Sequence, residues 1–140
     1  MEKVTSSEKQ TKKLGEEIAS RLRGGDILCL SGELGAGKTT LVKGLALGLG
    51  IKKEITSPTF ALLNIYEVKK GDIKRLIHID TYRLKNEEEL LDIGAEDYLG
   101  ADGTVCVVEW PEKIEGLLKN KKIKTIRLEH SPGGRKIILN

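Results

Sequence analysis

The sequence predicts an α/β fold of the phosphate-loop type, in which a mixed β-sheet is flanked by helices in three layers. The first observation is the stretch Gly32–Thr39, which fits a glycine, four free positions, a second glycine, lysine and threonine. Backbone N–H groups of such a loop point at phosphate, while the lysine and hydroxyl serve the phosphates and their metal. The second observation is the order of the flanking segments. The apolar run Ile27–Leu30 suits a buried parallel strand, and leucines recur at every fourth position after the loop, as on a helix face: Leu41, Leu45 and Leu49.

Length and composition limit the possibilities. The 140 residues are most simply one domain, residues 1–140, too short for a nucleotide domain together with a separate catalytic domain. The formal net charge of +3, with acids and bases interspersed, does not indicate a dedicated nucleic-acid binder. No amino-terminal apolar segment or membrane-spanning run is present, so we expect a cytoplasmic protein without membrane contact.

The amino-terminal part predicts one helix. Residues 1–5 look like a short lead-in, and Ser6 or Ser7 is a suitable helix cap. Thr11 and Gly15 fall on this helix, where spacing alone predicts a solvent-facing threonine and a tolerated small residue. The apolar side of the helix is predicted from Leu14, Ile18 and Leu22.

Two β-hairpins are predicted further along the chain. The first joins residues 61–68 to residues 73–80, and the second joins Lys124–Glu129 to Arg135–Leu139, each through a turn that contains glycine. Antiparallel pairs beside a parallel phosphate-loop strand make the predicted sheet mixed. Ahead of the first hairpin, Thr56–Phe60 places three hydroxyl residues around a proline, either to reach a ligand or to cap turns.

Between the hairpins the pattern alternates helix, strand and helix. Asn86 and the three glutamates after it begin a helix, because acids are favoured in a first turn, and its apolar side is predicted from Leu90, Leu91, Ile93 and Leu99. Residues 104–110 form a strand with a buried-type run, and Pro111 begins a short helix that ends at Leu118. The lysines that follow are interpreted as a solvated turn, with a partner-facing surface as the alternative: Lys119, Lys121, Lys122 and Lys124.

Two candidate strands end in an acid. Asp80 follows Leu76–Ile79, and Glu109 follows Val105–Val108. Ligands collect outside the carboxyl ends of strands in open α/β sheets, so both carboxylates could converge on Thr39 and hold Mg2+ through oxygen atoms if these strands neighbour Ile27–Leu30. The alternative for each is a surface acid at a strand end.

Other side chains near these strand ends keep more than one interpretation. His78 lies two residues before Asp80 and points to the same strand face, either as a satisfied structural histidine or as a catalytic base. Trp110, the only tryptophan, could plug the core rim, line a nucleotide site or meet a partner. Cys29 and Cys106 lie inside apolar runs, which is typical of small core residues.

The base and the reaction class are also constrained. Guanine recognition typically requires Asn-Lys-x-Asp, whereas residues 120–123 read Asn-Lys-Lys-Ile, so ATP is favoured over GTP. A small-molecule kinase would require a second substrate pocket and a lid, and no long insertion supplies one.

Several stretches together resemble the TsaE (YjeE) family, the small bacterial ATPase required for threonylcarbamoyl-adenosine formation in tRNA. The resemblance spans Thr11 to about Arg135 with the motifs in matching order. The matching motifs are the phosphate loop through Thr40, a switch-like Ser57-Pro58-Thr59-Phe60, the segment Gly94–Tyr98 and the pair Glu109-Trp110. In addition, His78-Ile79-Asp80-Thr81-Tyr82-Arg83 is similar to the family's His-x-Asp-x-Tyr-Arg signature. Thr11 and Gly15 resemble an amino-terminal Thr and Gly near the nucleotide.

The resemblance implies ATP and Mg2+ as ligands and weak hydrolysis by the chain alone. Lys38, Asp80 and Glu109 are the catalytic residues expected, with Thr39, Glu109 and Asp80 as metal ligands and Trp110 as a required residue. The expected nucleotide contacts are Thr11, Glu33, Leu34, Gly35, Ala36, Gly37, Lys38, Thr39, Thr40 and Trp110.

The resemblance also implies partners. These are TsaD and TsaB, which transfer threonylcarbamoyl from its adenylate to the adenosine next to the anticodon in ANN-decoding tRNAs, so that contact with tRNA is indirect. The competing hypotheses are a stand-alone small-molecule kinase and a binding module that ATP locks in one conformation without hydrolysis.

Overall fold

A computed structural model of the chain describes residues 1–33, 35–55, 63–82 and 84–140. The described residues contain seven strands, namely β1 (Glu2–Thr5), β2 (Ile27–Gly32), β3 (Leu63–Lys70), β4 (Ile73–Asp80), β5 (Thr104–Glu109), β6 (Ile123–Ser131) and β7 (Gly134–Leu139). They also contain four α-helices, namely α1 (Glu8–Ala19), α2 (Lys38–Gly48), α3 (Glu88–Asp92) and α4 (Glu115–Leu118), and the 3-10 helices Ala95–Asp97 and Pro111–Ile114.

The strands form one mixed sheet in the order β1-β7-β6-β2-β5-β4-β3. The central strands β6, β2, β5 and β4 are parallel, while β3 pairs antiparallel to β4 and β7 pairs antiparallel to β6. The predicted α/β fold with a mixed sheet and two hairpins is therefore confirmed. The hairpin of β3 and β4 matches the one expected over residues 61–80, of which 61 and 62 lie outside the described residues, and the hairpin of β6 and β7 matches the one expected over residues 124–139.

Helices cover both faces of the sheet and complete the three layers. Side chains alternate along β2, so that Leu28 and Leu30 pack with α1 and α2, whereas Ile27 and Cys29 pack with the elements on the other face. Three leucines that recur at every fourth position are buried, as predicted, two of them on α2 and one directly after its end: Leu41, Leu45 and Leu49. No helix in the described ranges is long and apolar enough to cross a membrane.

The start of the chain differs from the prediction. The expected lead-in is the strand β1, which pairs antiparallel with β7 from Glu2 opposite Ile138 to Thr5 opposite Arg135. A strand of four residues is too short to give a clear periodic signal. Its partner β7 lies at the far end of the sequence, so the local pattern does not indicate the pairing either. Ser7 does cap α1, and its hydroxyl oxygen accepts a hydrogen bond from the N–H of Gln10 at 3.1 Å.

The predicted environments of four residues on or next to helices were wrong. Thr11 is 2% exposed rather than solvent-facing, and its hydroxyl oxygen lies 2.6 Å from that of Thr5. Gly15 faces the backbone of α2, where a Cβ would lie 2.5 Å from the carbonyl oxygen of Leu41. On α3 and after it, Leu91 and Ile93 are exposed, because the helix ends at Asp92 and a left-handed Gly94 redirects the chain: Leu91 42% and Ile93 50%.

Candidate functional site

The phosphate-loop motif connects the carboxyl end of β2 to the start of α2 at Lys38. Two glycines shape the chain here, Gly37 through its backbone conformation and Gly32 through close packing. Gly37, just before α2, has φ of 100°, and a Cβ on Gly32 would lie 2.3 Å from the carbonyl oxygen of Leu128. The first backbone N–H groups of a helix have no intrahelical partners and form a favourable place for anionic oxygen atoms.

A cavity of about 520 Å3 lies beside this loop. Of the residues predicted to bind nucleotide, those that line the cavity are Thr11, Gly35, Gly37, Lys38, Thr39, Thr40 and Trp110. Glu33 and Ala36 do not. The Glu33 side chain is 80% exposed and lies 3.9 Å from His130 Nε2, whereas Ala36 is fully buried in the core. Gly15 packs against α2 instead of lining the cavity.

The sheet brings the two predicted acids to this cavity. Asp80 and Glu109 are directly opposite each other in the parallel pair of β4 and β5, and Glu109 is opposite Leu30 of β2. Paired residues of neighbouring strands share a face, and Leu30 belongs to the core beneath α1 and α2. Both carboxylates therefore lie on the side of the sheet where α2 begins, and both line the cavity with Thr39.

Lys38 places a buried cation in the same cavity. Its ammonium donates a hydrogen bond to the carbonyl oxygen of Gly32 at 2.9 Å and lies 3.5 Å from the ring centroid of Trp110. The residue is 6% exposed. Burial lowers the pKa of the Lys38 ammonium, and the nearby carboxylates oppose that shift: Glu109, Glu112 and Asp80.

His78 has a different partner from the one its spacing suggests. Its Nε2 lies 2.6 Å from Oε2 of Glu109, and both residues are buried. Asp80 instead accepts a hydrogen bond through Oδ1 from the N–H of Tyr82 at 3.0 Å. His78 and Asp80 do lie on the same face of β4, as predicted. The hydrogen bond of His78, however, runs diagonally to Glu109 on the neighbouring strand β5.

Trp110 lines the cavity from an unusual backbone conformation. Its φ of 61° and ψ of 55° are left-handed, which is rare for a bulky residue. The hydroxyl of Thr81 contacts the carbonyl oxygens of Glu109 and Trp110 at 2.9 Å and 2.5 Å. The indole ring contacts both the ammonium of Lys38 and the ring of Tyr82, whose centroid is 5.2 Å away.

Arg135 is a cavity residue that the sequence analysis missed. It stands on β7 and donates a hydrogen bond from Nη2 to the carbonyl oxygen of Gly35 at 3.1 Å. The turn between β1 and α1 lines the same side of the cavity through Ser6 and Ser7. No local signal could have identified these residues, because they reach the loop only through the pairing of β1 with β7.

Three predictions fall outside the described residues: Leu34, the Thr56–Phe60 segment with its switch-like motif, and Arg83. Within the described ranges, no group of three or more His, Cys, Asp and Glu side chains is arranged to hold a metal ion. A cation in this cavity would therefore be held by Asp80 and Glu109 together with the Thr39 hydroxyl and oxygen atoms of a molecule bound in the cavity. Cys29 and Cys106 are buried free thiols, as predicted.

Comparisons with known proteins agree with each other. The family described as "Threonylcarbamoyl adenosine biosynthesis protein TsaE" matches residues 5–137. A tRNA threonylcarbamoyladenosine biosynthesis protein TsaE from Treponema pallidum is 41% identical over 134 residues, which cover 96% of each chain. The protein of that name from Aquifex aeolicus is 45% identical over 114 residues, covering 80% of this chain and 77% of its own. The crystal structure of YdiB from Bacillus subtilis superposes with a TM-score of 0.80 at 32% identity, covering 99% of this chain and 83% of that one.

Proposed function

The chain belongs to the TsaE family of tRNA threonylcarbamoyladenosine biosynthesis proteins, and on that premise we propose that it is an ATPase. It binds ATP with Mg2+ in the cavity beside Gly32–Thr39 and acts in the cytoplasm with TsaD and TsaB, which modify the adenosine next to the anticodon of ANN-decoding tRNAs. The observation that carries the proposal is the meeting of Lys38, Asp80 and Glu109 at one cavity with the phosphate loop.

The cavity has the size and chemistry that a nucleoside triphosphate requires. Its volume of about 520 Å3 lies within the usual range of ligand pockets, ~300–1,000 Å3. The start of α2 and the Lys38 ammonium supply positive charge to phosphate oxygens. Thr11 and Arg135 lie on the side of the cavity formed by the turn after β1, where the nucleoside would extend.

The oxygen ligands expected for Mg2+ are present. Thr39 offers a hydroxyl, and Glu109 and Asp80 offer carboxylates, which together form the hard donor set that this ion prefers. When bound, the ion would neutralise charge that develops on the phosphates. Glu109 is the first candidate for direct ligation because it is opposite both Leu30 and Asp80, next to the end of the loop strand. Asp80 then assists hydrolysis from the neighbouring position.

Turnover by the chain alone is proposed to be slow. The described residues bring the phosphate loop, Asp80 and Glu109 to one cavity, and completion of this catalytic site by TsaD and TsaB would couple hydrolysis to tRNA modification. The threonylcarbamoyl transfer itself is assigned to those partners, and contact with tRNA is indirect.

The proposal is tested by measuring phosphate release from ATP with the chain alone, with TsaB and TsaD, and with tRNA added. We expect release to rise when the partners are present. Lys38→Ala should lose most nucleotide affinity, whereas Lys122→Ala, an exposed lysine away from the cavity, should not. Absence of phosphate release above background in the full mixture would favour a module that ATP only locks. A phosphorylated metabolite formed from labelled ATP and metabolite pools would favour a small-molecule kinase.

The metal assignment has its own measurement. Glu109→Gln should raise the Mg2+ concentration for half-maximal ATP binding and turnover by at least about tenfold. Replacing even a residue that only orients a metal ligand lowers metal affinity or activity by about 10–100-fold. Glu115→Gln, an exposed acid on α4, is the matched control. An unchanged magnesium titration in Glu109→Gln would remove that residue from the metal site.

A further inference from the structure

We infer that His78 is a positioning residue for Glu109, whose carboxylate it holds toward the cavity through one oxygen. The inference deepens the proposed function and rests on it, because the role of Glu109 toward a cation belongs to that proposal. His78 itself does not line the cavity.

The hydrogen bond between the two residues is short and shielded from water. His78 Nε2 and Glu109 Oε2 are 2.6 Å apart, and the residues are 1% and 4% exposed. Hydrogen bonds to an ionised carboxylate are the strong ones, and in a site closed to water they gain further strength. The contact therefore restricts the rotation of the Glu109 side chain at the edge of the cavity.

The position of the hydrogen on the imidazole follows from the acceptor. A carboxylate only accepts, so Nε2 carries the hydrogen and donates it to Oε2. Nδ1 of His78 is buried with no hydrogen-bond partner in the described part of the chain. The contact with Glu109 is therefore the hydrogen bond through which the described part of the chain engages the His78 ring.

The strand register explains why such a residue is required. Asp80 is directly opposite Glu109, and like charges directly opposite each other on neighbouring strands are unfavourable. His78 is opposite Val107, two residues before Glu109, so its ring reaches the carboxylate diagonally on the same face. His78 thus gives Glu109 a favourable hydrogen-bond partner next to the unfavourable carboxylate of Asp80. The hydrogen bond engages Oε2 of Glu109 within the protein.

The experiment measures the Mg2+ dependence of ADP and AMP-PNP binding by calorimetry, with Trp110 fluorescence as a second readout. His78→Phe keeps a flat ring but removes the donor, and His78→Gln can place an amide N–H near the former Nε2. We expect His78→Phe to raise the half-saturating Mg2+ concentration by about 10–100-fold while nucleotide affinity without Mg2+ changes less than about threefold. His78→Gln should recover most of the loss.

The alternative is a histidine that serves only the core. In that case His78→Phe would weaken nucleotide binding equally with and without Mg2+, or leave the magnesium titration unchanged, and either result overturns the inference. If His78→Phe does not fold by circular dichroism, His78→Asn, whose shorter amide does not reach the Nε2 position, takes its place with the same expectation. If nucleotide binding by the wild type does not depend on Mg2+, the proposed metal site and this inference are refuted together. If it does depend on Mg2+ and the variant shows the same dependence, this inference alone is refuted.

Discussion

Gly15 is the residue at which a single added methyl group should disturb the support of the phosphate loop. It lies where α1 packs against α2, the helix that begins at Lys38. A Cβ at Gly15 would lie 2.5 Å from the carbonyl oxygen of Leu41, 2.8 Å from the backbone nitrogen of Leu45 and 2.9 Å from Cα of Gly44. All three atoms are backbone, so no side-chain rotation relieves the contact, and the helices must move apart.

The expected magnitude follows from two opposing effects. In an open helix position, replacing glycine with alanine stabilises by up to ~1 kcal/mol. Here the overpacking cost of ~1–3 kcal/mol should fall at its upper end, because contacts near 2.5 Å must open by about 1 Å to reach normal carbon separations. We therefore expect Gly15→Ala to lower the free energy of unfolding by ~2 kcal/mol, and the melting temperature by about 8 °C.

Thermal and urea unfolding followed by circular dichroism measure this change. Lys13→Ala, at an exposed position of the same helix, is the control and should stay within about 0.5 kcal/mol of the wild type. A Gly15→Ala protein that is as stable as the wild type or more stable would show that the helix-propensity gain meets no packing cost between α1 and α2.

Three further predictions concern the cavity and the core. Thr81→Val should destabilise the fold by ~1 kcal/mol and shift Trp110 fluorescence toward that of a solvated indole, because the hydroxyl no longer holds the left-handed backbone of Trp110. Thr81→Ser keeps the hydroxyl and should keep the native spectrum. Arg135→Ala should weaken ADP binding by about fivefold, through loss of its hydrogen bond to the loop, as measured by calorimetry. Burial raises the pKa of Cys29 to about 11 and of Cys106 to about 12, so both thiols stay protonated at pH 8 and should react with a disulfide reagent only after unfolding.

Each of these has a result that contradicts it. A native Trp110 spectrum in Thr81→Val would show that packing alone holds the left-handed turn. Equal ADP affinity in Arg135→Ala would assign that side chain to the surface. Rapid labelling of either cysteine in the folded protein at pH 8 would contradict its burial.

The residues around the loop separate what the sequence could predict from what it could not. Ile27–Leu30, the glycine pattern and the spaced leucines of α2 are local signals, and each element formed where the pattern indicated. Asp80 and Glu109 could be paired in advance because the carboxyl ends of parallel strands meet at one edge of a sheet.

Other parts of the cavity depend on contacts between distant segments. The partner of His78 follows from the register of β4 with β5, which spacing along one strand does not contain. The burial of Thr11 and the approach of Arg135 follow from the pairing of β1 with β7, whose residues are separated by most of the sequence. Pairings of this kind are set by the tertiary fold rather than by local propensity.

The position of β2 in the sheet has a consequence for how the protein is made. This strand carries the loop, yet its two neighbours, β5 and β6, begin at Thr104 and Ile123, far later in the sequence. During synthesis the glycine motif is therefore complete long before either supporting strand exists, and the contacts that fix it have a large sequence separation. A fragment that contains the whole motif but ends before Thr104 lacks both strands that flank β2, so we expect it not to act as a smaller nucleotide-binding unit.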